Sequence, residues 1–176
     1  MGFLCLVMKR SIMKKTKLLS AVFMFCCTAC GQTGENVQAS SVTFVASTPC
    51  TAGTRPLSGM RSTEKCELIQ WKLQFFGIAG DSSTHSYILD CNYGLAKQSS
   101  RGLVNGGTHL HREGKWAIQT GMAGNPAAVV FCLDPDKPKE SVFLLKLSDE
   151  LLHLLDSDRN LMTGTAAWSY TLNKLP

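Results

Sequence analysis

The feature that most constrains the fold is a strict alternation of apolar and polar residues over two stretches in the middle of the chain. In residues 69–75, IQWKLQF, every second residue is apolar. Residues 84–95 repeat the pattern, and their apolar side chains would share one face: Tyr87, Leu89, Cys91, Tyr93 and Leu95. Because successive side chains of a β-strand point to opposite faces, the alternation predicts two strands, each with one buried and one solvent-facing side.

Further strands are predicted at regular spacing along the chain. They cover residues 42–45, 108–112, 115–120, 127–133, 142–147, 151–155 and 167–172. Glu113-Gly114 is a short hairpin signal, and Trp168 would share a buried face with Tyr170 and Leu172. Residues 148–155 could form a short helix instead of a strand. About eight short strands without a long helical period predict an all-β fold, either an antiparallel barrel or a sandwich.

The N-terminal region predicts export and lipid attachment. A positive cluster at residues 13–17, MKKTK, precedes an uncharged stretch that ends in small residues before Cys30. This layout is typical of a secretory signal peptide, and the stretch is shorter than the roughly 20 residues of a membrane-spanning helix. The end, Thr-Ala-Cys-Gly, resembles a bacterial lipobox. We expect a signal peptide over residues 1–29, with 1–12 an over-long start, and acylation (palmitate) at Cys30; cleavage without lipidation is the alternative.

The charge of the chain lies in this leader. Five of the 18 Lys and Arg residues precede Cys30 and none of the 13 acidic residues does, so the remainder carries 13 of each and no net charge. Nucleic-acid binding usually requires a basic face, so we expect no nucleic-acid partner. Residues 30–41 are polar and predict a tether from the lipid, and residues 42–176 have the length of one domain.

Four of the eight cysteines follow the leader: Cys50, Cys66, Cys91 and Cys132. An even number in a small exported domain predicts two disulfides. Three pairings are possible, and we favour Cys50–Cys66, which brackets a Gly- and Pro-rich connection, with Cys91–Cys132 joining two central strands. Buried unpaired thiols are the alternative.

Several pieces together resemble the N-terminal domain of the NlpE-type copper-resistance lipoproteins of bacterial envelopes. They are a cysteine before the first long strand (KCELI, residues 65–69), the segment EGKW at 113–116, and the end LLHLLD…WSYTLN at 151–173. The resemblance implies a small lipocalin-like antiparallel barrel on a lipid anchor, placed at the outer membrane, with a role in copper tolerance or envelope-stress signalling. The C-x-x-C that the family carries before its first strand is missing here.

His109 and His111, in THLHRE, are the candidate metal ligands. Two residues apart on a strand, they would point the same way and could share one Cu²⁺ or Zn²⁺. Two imidazoles are an incomplete set unless a neighbouring strand supplies a third ligand. We therefore expect exposed strand histidines, no tight stoichiometric copper site and no cofactor. DSDRN at 156–160 begins like a calcium loop but lacks its glycine and final glutamate, so it predicts a turn.

The sequence predicts no enzyme, because it has no G-x-S-x-G motif and no convincingly paired carboxylates. We therefore expect a non-enzymatic envelope lipoprotein whose membrane contact is its N-terminal lipid and whose protein or small-molecule partner is unknown. Envelope-stress response or metal handling is the first hypothesis. The alternatives are a carrier of a small apolar ligand and an inhibitor of a secreted hydrolase such as lysozyme.

Overall fold

The computed structural model describes residues 41–50, 57–60, 65–77, 85–98 and 102–176, which all belong to one compact unit. The predicted signal peptide, the acylation site Cys30 and nearly all of the tether lie outside the described residues, so those predictions remain predictions. Among the described residues, no helix is long and apolar enough to cross a membrane.

Eight antiparallel strands form a closed ring, which confirms the predicted all-β barrel. The strands are β1 Ser41–Pro49, β2 Leu68–Phe76, β3 Ser86–Gly94, β4 Thr108–Met122, β5 Asn125–Leu133, β6 Val142–Lys146, β7 Leu151–Leu155 and β8 Thr171–Lys174. Each strand pairs with the next in sequence, and β8 returns to pair with β1. Closure matters because a barrel leaves no unpaired sheet edge along its wall.

The alternating stretches form β2 and β3, as predicted. Their nine-residue ladder pairs Trp71 with Cys91 and Leu73 with Leu89, and these apolar side chains all point into the barrel. The outward residues between them are polar. Shifting this register by one residue would turn every apolar side chain to solvent, so the pattern itself holds the strands in place.

Inward-pointing side chains from all eight strands fill the barrel interior as one cluster. Phe75 lies at its centre, with its ring edge-on to Phe44, Trp116 and Phe131 at centroid separations of 5.3–6.0 Å. The one polar side chain buried on β1, Thr48, accepts a hydrogen bond of 2.7 Å from the Trp71 indole. The barrel is therefore held together by a packed core.

The predicted hairpin at Glu113-Gly114 is wrong, because β4 runs unbroken for 15 residues. Gly114 serves close packing: a Cβ at that position would collide with the Asp134 carboxylate and touch the Tyr87 ring. A glycine inside a strand often marks such a close approach. Asp134 lies there because it binds Arg112 and Tyr87, whose side chains also point inward.

The C-terminal strand lies later in the chain than predicted. β8 is Thr171–Lys174, and Trp168 precedes it with 42 % of its surface exposed. Tyr170 and Leu172 are buried as expected. Residues 151–155 form strand β7 and not the alternative helix.

A second, smaller apolar cluster lies on the outer side of the wall. Ala128, Val130, Leu145 and Leu155 form it, with Met122 and Phe143 packed against them. The turn after β7 holds its position through Arg159, whose guanidinium lies 4.8 Å from the Phe143 ring centroid and donates to the Gln119 side chain. The predicted turn at 156–160 is confirmed, and hydrogen bonds from Asn160 lower the pKa of Asp156 there.

Cys50 and Cys66 form the predicted disulfide, which closes a loop of 16 residues beside the start of β2. The predicted second bridge is wrong: Cys91 and Cys132 are both free and both buried. Burial raises the pKa of each thiol. Both are therefore poor nucleophiles.

The register explains why the second bridge cannot form. β4 lies between the two cysteines, with Cys91 opposite Leu110 and Cys132 opposite Ala117. Seven residues of strand separate those positions, about 23 Å at roughly 3.3 Å per residue. A disulfide needs Cα atoms no more than about 7 Å apart. Cys91 also belongs to the interior cluster, and Cys132 does not.

Candidate metal centre

A cluster of side chains that could bind a metal ion lies on the outer wall of the barrel where β3 and β4 pair. The register places Asp90 directly opposite His111, and Asn92 directly opposite His109. Their strand neighbours Leu89, Cys91 and Leu110 point inward. Strict alternation therefore gives the four polar residues one common outward face.

The side chains of this cluster are already in contact. His111 Nδ1 lies 2.6 Å from Asp90 Oδ1, and His109 Nε2 lies 3.7 Å from the same oxygen. Asn92 Oδ1 lies 3.2 Å from His109 Nδ1. An amide oxygen only accepts, so His109 Nδ1 donates in this contact, and the nitrogen that could bind a metal ion is Nε2, on the side of Asp90.

Charge in the cluster favours a cation. The hydrogen bond to the Asp90 carboxylate raises the pKa of His111, with the negative charges of Asp90 and Glu113 acting in the same direction. The side chains are 38–59 % exposed, so water and salt screen this attraction. A metal ion would replace the proton that His111 and Asp90 share, and protons would compete with it at low pH.

The geometry fits one transition-metal ion after small side-chain movements. Asp90, His109 and His111 each offer one ligand atom, and these atoms lie within 4.8 Å of one another. Metal–ligand bonds of about 2.0–2.1 Å would place neighbouring ligands of one ion roughly 3–3.4 Å apart. Exposed side chains can close that difference by small rotations about their χ angles. Two imidazoles and a carboxylate suit Zn²⁺, Cu²⁺ or Ni²⁺.

The sequence pointed to His109 and His111 but missed Asp90 and Asn92. Alternation on β3 marks both residues as outward-facing, which was a usable signal. Their contact with the histidines depends on the β3–β4 register, which a pattern along one strand does not specify. The third ligand that the sequence left open is therefore supplied by the neighbouring strand.

The other two described histidines have structural contacts. His85 packs edge-on against Trp116 with the ring centroids 4.7 Å apart. His153 binds Thr171 Oγ1 and the Met162 carbonyl through its two ring nitrogens, at 3.0 and 2.9 Å. Neither belongs to the group of side chains that could bind a metal ion.

A cavity of about 300 Å³ lies at the end of the barrel where β1 begins and β8 ends. Its apolar floor is Val42, Phe44 and Phe131. Charged side chains around it are paired: Lys146 with Asp149 at 2.6 Å, and Lys174 with Glu150 at 2.9 Å. The cavity is therefore an open depression with an apolar floor and a charged rim.

No protein-family model, no curated protein and no solved structure matches this chain. The likeness to NlpE-type lipoproteins therefore rests on the sequence pieces alone. The candidate metal centre rests on its own geometry.

Proposed function

We propose that this protein is a non-enzymatic, lipid-anchored protein of the bacterial envelope that handles divalent transition-metal ions, copper among them. The leader with its lipobox-like end supports the anchor, and the likeness to NlpE-type lipoproteins supports a role in copper handling or envelope stress. The observation that carries the metal function is the Asp90 carboxylate, which adds a third donor to His109 and His111.

The barrel gives the site a fixed framework. Eight residue pairs hold β3 against β4, and Leu89, Cys91 and Tyr93 anchor the inner face of β3 in the core. The Cα positions of Asp90, His109 and His111 are therefore fixed, and only short side-chain rotations remain. Ligands on rigid strands lose less freedom on binding than ligands on loops.

Calorimetric titration of the exported protein with Cu²⁺ and Zn²⁺ at neutral pH tests this function. We expect one ion per chain, and no binding after the double change His109→Ala and His111→Ala. Lys115→Gln is the matched control, because it alters an exposed outward residue of the same strand that offers no ligand to the cluster. Unchanged binding in the double variant, or none in the natural chain, would remove the metal function.

The cavity supports a second candidate, a carrier of a small apolar ligand. A volume of about 300 Å³ is at the lower end for ligand pockets, and Phe44 and Phe131 offer an apolar floor. Titration with a short-chain fatty acid, monitored by intrinsic tryptophan fluorescence, tests the carrier function. The change Phe44→Ala should weaken any binding. Inhibition of a secreted hydrolase remains a third hypothesis.

A further inference from the structure

We infer that the site at Asp90, His109 and His111 distinguishes metal ions by oxidation state: it binds Cu²⁺ and Zn²⁺ but not Cu⁺. This inference rests on the proposed metal function and names the class of ion that the site accepts. It follows from which side chains the barrel turns outward and which it turns inward.

The donors on the outer face are nitrogen and oxygen. Imidazole nitrogens and carboxylate oxygens suit borderline divalent ions, whereas Cu⁺ is a soft ion that prefers thiolate and thioether sulfur. The Asp90 carboxylate also contributes a full negative charge, which attracts a divalent ion more strongly than a monovalent one. The charged neighbours are Glu113 on β4 and Lys72, which pairs with Asp90 from β2, so their opposite charges partly offset each other.

The nearest sulfur in sequence is on the wrong side of the wall. Cys91 follows Asp90 directly, but alternation turns its thiol into the core, where it is fully buried. The Asp90 carboxylate can therefore reach an ion on the outer surface, whereas the thiol of the adjacent Cys91 cannot.

The remaining sulfur atoms among the described residues are engaged in other contacts. Cys50 and Cys66 are joined in the disulfide, and Cys132 is buried on β5. The three described methionines are committed to packing: Met60 and Met162 against the interior cluster, and Met122 against the outer one. No described cysteine is part of the cluster that could hold a metal ion.

The open side of the site agrees with this preference. Asp90, His109 and His111 approach an ion from the wall, and their 38–59 % exposure leaves its other side to water. Cu²⁺ and Zn²⁺ readily complete their coordination with water or another small ligand.

Paired titrations of the same exported protein test the inference. Cu²⁺ and Zn²⁺ are titrated by calorimetry. Cu⁺ is prepared under nitrogen with ascorbate, which spares the disulfide, and is offered in competition with a chromogenic Cu⁺ chelator. The comparison is made for the natural chain, the double variant H109A/H111A and the control K115Q.

We expect the natural chain and K115Q to bind one Cu²⁺ or Zn²⁺ and the double variant to bind none. Asp90→Asn should weaken Cu²⁺ binding by at least roughly 10- to 100-fold, which is the loss typical for a residue that only hydrogen-bonds to a metal ligand, because Asp90 is itself a proposed ligand. The amount of Cu⁺ taken from the chelator should be the same for the natural chain and the double variant, because no Cu⁺ is held by these histidines.

Two results would contradict the inference in different ways. If the natural chain takes Cu⁺ from the chelator and the double variant does not, the site accepts Cu⁺. The inferred selectivity for divalent ions is then wrong, while the proposed metal function stands. If neither Cu²⁺ nor Zn²⁺ binds the natural chain, the metal function and the selectivity both fail.

Discussion

Replacing Asp134 by Asn should strongly destabilise the barrel, because Asp134 balances a buried positive charge. Asp134 Oδ2 accepts hydrogen bonds from Arg112 at 2.6 Å and from Tyr87 at 2.5 Å, and only 7 % of its side chain is exposed. The Arg112 side chain is 14 % exposed. Asparagine suits the test since Asp134 has a φ of 50°, a conformation that asparagine tolerates well. The change removes the charge and leaves the backbone unstrained.

The magnitude follows from what Arg112 keeps. Removing one partner of a buried ion pair typically costs about 3–5 kcal/mol. Arg112 would retain Ser58 Oγ at 3.2 Å and the Glu140 carbonyl at 3.0 Å, and the asparagine oxygen could still accept a hydrogen bond. We therefore expect a loss of about 2–3 kcal/mol in the free energy of unfolding.

A double-mutant cycle with Arg112→Met separates this explanation from a general packing defect. Arg112→Met alone should also destabilise, because it leaves the Asp134 carboxylate buried with only the Tyr87 hydroxyl as a side-chain donor among the described contacts. The double variant should lose less than the sum of the two changes by roughly 1–3 kcal/mol. Urea unfolding followed by tryptophan fluorescence, with the disulfide intact, measures all four proteins. Additive effects would refute the reasoning.

Three further predictions concern the disulfide, the histidine and the anchor. Changing Cys50 and Cys66 together to Ala should lower the free energy of unfolding by about 3 kcal/mol, since their bridge closes a 16-residue loop; urea unfolding measures it, and no loss would show that the bridge is dispensable. Asp90→Asn should lower the pKa of His111 toward about 6.5, because the carboxylate raises that pKa in the natural chain. The pair stabilises the fold below a pH of about 6.5, and its contribution is lost as the pH rises through the raised pKa. The imidazole NMR signals measure the titration, and an unchanged pKa in the variant would disprove the pairing. Cys30→Ala should release the protein from membranes and abolish acyl labelling; mass spectrometry finding an unmodified N-terminus other than Cys30 in the natural protein would exclude the anchor.

The sequence predicted the strands wherever one face is buried and the other is wet. Residues 69–75 alternate without exception, and β2 extends them by one residue at each end. The prediction failed where a tertiary contact overrides a local signal. Glu113-Gly114 is a good turn dipeptide, but Asp134, 20 residues later, needs the space that Gly114 leaves. A turn propensity contains no information about such a distant contact.

The cysteines and the candidate metal centre show a second limit of sequence-based prediction, which is that the sequence pattern does not give the strand register. Alternation predicts that Cys91 points inward and Asp90 outward, but it does not give the residue that faces each of them. The β3–β4 register brings Asp90 to His111, and β4 keeps Cys91 about 23 Å along the strand direction from Cys132. One site was therefore more complete than the sequence suggested, and one predicted bridge is absent.

Selective loss of amide NMR signals on addition of Cu²⁺ tests the metal centre most directly. Cu²⁺ is paramagnetic and broadens the signals of nuclei close to it. With less than one equivalent of Cu²⁺ at neutral pH, the signals of residues 90–92 and 109–111 should disappear first, while those of His85 and His153 persist. Early loss around His85 or His153, or no selective loss at all, would contradict a metal site at Asp90, His109 and His111.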